Sequence, residues 1–176
     1  ALPLSRLSYA LIFLFLCLHT VGSHYTYALV PYDAWSRALT GGSLDALLGW
    51  DRNNYDRIVH LSYGLLLAYP MREVVLRVGE MRGFWGYFLP LDVTMSTSMI
   101  YELVEWGAAL VFGGGLGAAF LGSQGDEWDA QKDSALAAAG AGLVVLGGAA
   151  WASSRLGEYS VMTMGHVVDG RGGPPL

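Results

Sequence analysis

Apolar residues gather into four runs separated by polar stretches. A helix needs about 20 apolar residues to cross the hydrocarbon core. Runs near residues 7–29, 58–78, 84–112 and 134–153 meet or approach that length. The first, LSYALIFLFLCLHTVGSHYTYAL, follows Arg6 and resembles a signal sequence, but its length and the lack of a small-residue cleavage site predict a retained helix. Pro70 is expected to kink or end the second run early, and Pro90 lies near the start of the third. The pattern predicts an all-α fold, a polytopic transmembrane bundle of about four helices spanning residues 1–156 as one domain.

The segment 30–56 is too long for a bare connector and carries Trp35, Trp50 and Tyr55. It reads as a cap, with a short helix at 43–48. The tail 157–176 ends in DGRGGPPL and is expected to be irregular. Ser134, Ala138 and Gly142 are expected to form a close-packed face on the fourth span.

Composition sharpens this picture. The chain is 53% hydrophobic and 14% charged, where soluble domains carry roughly 25% charge. Mean hydropathy is +0.39. A net charge of −5 without a basic run excludes nucleic acid as a partner. The single cysteine, Cys17, excludes an intrachain disulfide. Alternating spans place Arg6, Arg72, Arg77, Arg82 and Arg155 on one side, with Arg37, Arg52, Arg57 and Lys132 on the other. The positive-inside rule then puts the N-terminus in the cytoplasm.

On this map the rare polar residues converge on the extracytoplasmic side. His19 and His24 lie late in the first span, Asp56 and His60 open the second, Glu102 and Glu105 lie in the outer half of the third, and Asp126, Asp129 and Asp133 lead into the fourth. Spacings of three and four set Glu102 with Glu105, and Asp56 with His60, on common helix faces. Ionisable groups within a span persist when paired or functional. The cluster suits a divalent metal ion, with Glu102, Glu105, Asp129, Asp133, His60 and His24 as candidate ligands. His60 with Asp56 is the candidate base and orienter. His24 is five residues from His19, so only a distortion near Gly22 would bring the two together. The bland readings are a Glu102–Glu105 pair locked to Arg57 or Lys132, a helix–helix hydrogen bond from His19, and an N-cap at Asp126.

The blocks HTVGSHYTY, RNNYDRIVHLSYGLL, MIYELVEW and LGSQGDEWDAQKDSALAAAGA resemble those of the YjdF-type family of small bacterial inner-membrane proteins. More distantly, Asp56, Arg57 and His60, Glu102, and Asp133 followed by Gly140 resemble the VanZ-like pattern, with Arg57 in place of a lysine and Ala137 in place of an asparagine. VanZ-like proteins are associated with glycopeptide resistance at the cell envelope. These resemblances imply a multi-pass helical protein of the bacterial inner membrane and supply no reaction.

Three functions compete. The first is a cation-binding His/carboxylate site acting on a lipid or lipid-linked envelope substrate. The second is a non-catalytic accessory subunit of a larger membrane protein complex, with the cluster as internal glue. The third is an ion pathway, weakened because Asp92 alone continues it inward.

Overall fold

The structure is a computed structural model that describes residues 4–112 and 123–169, with side chains described to residue 154. Six helices run through the described residues, and no strand: α1 (Arg6–His24), α2 (Tyr32–Thr40), α3 (Leu44–Leu48), α4 (Tyr55–Arg77), α5 (Trp85–Phe112) and α6 (Asp129–Asp169). Two stretches are long and apolar enough to cross a membrane, α1 and the Asp129–Ser154 part of α6. Helices α4 and α5 have the length but carry more charged and polar side chains. Packed seams join α4 to α6, α1 to α4, α5 to α6 and α4 to α5.

The central seam, α4 against α6, rests on glycine. A Cβ on Gly64 would stand 2.6 Å from the backbone nitrogen of Ala141. One on Gly140 would stand 2.5 Å from the Leu61 carbonyl oxygen and 2.8 Å from the Leu65 nitrogen. The two backbones thus touch directly, the device that small residues provide where lipid removes any hydrophobic drive between helices. The buried stripe of α6 is Asp129, Asp133, Ala137, Gly140, Ala141 and Val145, one position round from the expected Ser134–Ala138–Gly142 face. On α4 it is Asp56, His60, Gly64 and Ala68. Apolar side chains outside the seams face outward, among them Phe13, Leu143 and Leu146.

Several boundaries differ from expectation. Pro70 does not end α4; it is buried inside the helix, which continues to Arg77. Neighbouring helices make prolines tolerable at such positions. Helix α1 runs unbroken through Gly22 and stops at His24, where Thr26 and Tyr27 adopt φ of 51° and 53°. Gly22 makes room for the Tyr27 ring, whose Cδ1 would lie 2.5 Å from an added Cβ. The histidines are therefore not brought together. The tail expected to be irregular from Gly157 is helical through Asp169. Its only proline pair lies beyond that point, and each isolated glycine costs a helix only about 1 kcal/mol. Residues 170–176 lie outside the described residues.

The 30–56 segment is ordered as a cap. Ser43 starts α3 with its side chain accepting from Ala46 N, as that stretch predicted, while α2 was not foreseen. Asp33 braces the two. Its Oδ1 accepts from Ser43 Oγ at 2.8 Å and Asp45 N at 3.1 Å, and its Oδ2 from Arg37 Nε at 2.8 Å. The Arg37 hydrogen bond, helped by the Asp45 N–H, holds the Asp33 carboxyl down at about 2. Asn53 Nδ2 donates to the Val30 carbonyl at 2.8 Å, closing the cap onto the start of α4.

Candidate functional site

The direct contact at Gly64 and Gly140 fixes what happens two turns away. Asp56 and His60 lie on the α4 stripe that contains Gly64, and Asp133 lies on the α6 stripe that contains Ala137. Close backbones therefore force these side chains together. Ligand-capable atoms of Asp56, His60 and Asp133 lie within 4.8 Å of one another, so these three can hold a metal ion. Asp133 is 1% exposed and its Oδ1 has no hydrogen-bond partner among the described residues. His60 Nε2 lies 3.6 Å from Asp56 Oδ1 and 3.2 Å from Glu102 Oε1 on α5. That Glu102 oxygen is also buried without a hydrogen bond. Leaving a buried polar oxygen unsatisfied costs about 1–3 kcal/mol.

The arginines do not relieve this. Arg52 Nη2 lies 2.7 Å from Asp129 Oδ1, and Arg57 Nη2 lies 2.5 Å from Asp126 Oδ2. Lys132 Nζ reaches the same Asp126 oxygen at 2.6 Å. Asp126 also accepts from Trp128 N at 3.1 Å, in the turn ahead of α6, so it is not the N-cap of a helix that begins at Asp129. The Lys132 hydrogen bond and then the Trp128 N–H hold its carboxyl down at about 2. Arg57 and Lys132 thus serve Asp126, not the Glu102–Glu105 pair to which the bland reading assigned them.

Of the six expected metal ligands, His60 and Asp133 fall in the metal-capable group. Glu102 abuts it through His60. Asp129 is buried beside it but engaged by Arg52 and Arg57. Glu105 lies one turn on, near Tyr101 and within electrostatic reach of Asp56, Asp129 and Asp133. His24 is exposed at the end of α1 with its ring against Tyr25 at 4.7 Å, outside the group. His19 sits nearer, with Nδ1 2.8 Å from the Tyr27 hydroxyl and its ring against Tyr101.

Sequence reasoning did not single out Arg52, Tyr101 or Ser98. Arg52 also donates to the Ser123 carbonyl at 2.7 Å. Its signal was an arginine five residues before Arg57 beside an acidic surplus. Tyr101 precedes Glu102 and Glu105 on α5 and was legible only as their neighbour. Ser98, four residues before Glu102, lay on the same helical face.

The chain matches a family described as Predicted membrane protein over residues 1–154. It is 39% identical to the inner membrane protein YjdF of Escherichia coli (strain K12) over 162 residues, covering 92% of this chain and 73% of that relative. No solved structure matches it. The inner-membrane location of that relative agrees with the location the sequence led us to expect. The chain belongs to the predicted membrane protein family DUF2238.

Proposed function

We propose that this protein spans the bacterial inner membrane with α1, α4, α5 and α6, and binds a divalent cation at Asp56, His60 and Asp133 next to a lipid or lipid-linked envelope ligand. The observation that carries this reading is the buried Asp133, whose Oδ1 has no hydrogen-bond partner among the described residues and which offers a carboxylate oxygen to a group whose ligand atoms lie within 4.8 Å. A cation would compensate what no neighbouring side chain does. Two carboxylates and one imidazole form a donor set suited to Zn²⁺, Mn²⁺ or Fe²⁺. Glu102 would orient His60, the outer partner that metal-bound imidazoles require. Asp129 and Glu105 would add negative field around the group. Of the two roles open to His60 and Asp56, base with orienter or paired ligands, proximity to Asp133 favours ligands. A cation held there would polarise an oxygen of the lipid head group or of a water molecule.

Elemental analysis of detergent-purified protein tests this. Wild type should hold near-stoichiometric divalent metal, and Asp133→Asn should lose it while keeping its elution profile and helical circular dichroism. A well-folded wild type that takes up none of these metals overturns the reading.

A further inference from the structure

A cavity of about 280 Å³ lies between α1, α4 and α5, directly beside Asp56 and His60. Its wall has two characters. One side is apolar, with Phe15, Leu16 and Val59. The other carries hydroxyls, including Ser98 and Tyr101. Ser98 is 2% exposed, yet its Oγ has no hydrogen-bond partner among the described residues. An unspent hydroxyl at that depth is out of keeping with the near-complete satisfaction of buried polar groups.

We propose that this cavity binds the hydroxyl-bearing head of a neutral membrane lipid, admitted sideways between α1 and α5. This deepens the reading above by naming the ligand, and rests on it for the charge around Asp56. Lateral entry follows from packing. Both helices pack on α4, but among the described residues no packed seam joins α1 to α5. At the lip, Leu16 is 50% exposed on a helix of membrane-spanning length. The neutral head follows from charge. Among the described residues no lysine or arginine lines the cavity, so no side chain supplies a fixed positive charge for an anionic phosphate. A divalent cation held by Asp56 and Asp133 would cancel their two charges, leaving no net negative charge for an ammonium head and no net positive charge for a phosphate. A hydroxyl both donates and accepts, which matches Ser98 Oγ.

Binding of 1,2-dioctanoylglycerol to the full chain in mild detergent, read by intrinsic tryptophan fluorescence, tests the assignment. Wild type should bind saturably. Ser98→Leu, which fills the cavity, and Leu16→Trp, which narrows its lip at an exposed position that folding tolerates, should each weaken binding by tenfold or more with metal content unchanged. Free glycerol should not compete, which separates a lipid head from a soluble polyol. Binding unchanged in the folded variants overturns the pocket, as does equal binding of dioctanoylphosphatidic acid or octylammonium. Metal content of the same preparations separates the two proposals. Metal without dioctanoylglycerol binding removes the pocket alone, and the converse supports the pocket while removing the cation.

Discussion

Two ends of the same helix bury carboxylates in opposite ways. Near the C-terminal end of α4, Glu73 is 7% exposed and fully engaged. Its oxygens accept from Ser5 N at 2.9 and 3.0 Å, from Ser5 Oγ at 2.9 Å and from Ser8 Oγ, while Arg77 Nη2 lies 2.7 Å away. At the N-terminal end, Asp133 is 1% exposed, and among the described residues nothing donates a hydrogen bond to Asp133 Oδ1 or to the buried Glu102 Oε1. Both arrangements arise from helix packing, since Glu73 fastens the start of α1 to α4 as the Gly64 seam fastens α6. What differs is the hydrogen-bond account. A complete account marks a structural lock. An incomplete one, repeated on two helices around one histidine, marks a place for something else.

The largest expected effect comes from exchanging one oxygen at each end. Asp133→Asn should abolish metal retention yet leave the metal-free protein about as thermally stable as wild type, because the amide fills the same volume and no hydrogen bond to Oδ1 is lost. A large drop in the melting temperature of the metal-free protein would instead place Asp133 in a structural network. Next, Glu102→Gln should weaken metal affinity by about 10–100-fold, the usual loss when the partner of a ligating imidazole is altered. Competition with a calibrated chelator measures it, and unchanged affinity would detach Glu102 from the site. Glu73→Gln should do the reverse of Asp133→Asn. The melting temperature should fall by several degrees while metal content stays at the wild-type level.

The smallest effect concerns the cap. The Asp33 carboxyl is held down from 3.8 to about 2. A depressed folded-state value means that its contribution is complete above the unfolded value and is lost as pH falls through the folded one. The α2–α3 cap should therefore loosen between about pH 4 and pH 2, seen as faster amide exchange around Trp35. Asp33→Asn should show that faster exchange already at neutral pH and lose the acid transition.

Much of this was readable from residue order. The four long helices follow from apolar runs, because burial in lipid or against another helix demands them whatever the partner. Convergence of His60, Glu102 and Asp133 on one side was also legible, since alternating spans carry alternate ends to the same face. The close-packed face of α6 was placed one residue off. The small residues Ala137, Ala138, Gly140, Ala141 and Gly142 fit more than one stripe by composition, and only the docking of Gly64 selects among them.

The sequence by itself therefore determined the helical class, the long helices and the candidate polar end, all of which depend on periodicity and hydropathy within each segment. Tertiary structure alone decided which charges neutralise one another. Arg57 or Lys132 could have served the Glu102–Glu105 pair, but both reach Asp126. That choice rests on the rotation and depth at which α4 meets α6, quantities set by backbone contact at two glycines and absent from any single helix. It also leaves Asp133 Oδ1 and Glu102 Oε1 without a hydrogen bond among the described residues, and on that leftover the proposed site rests.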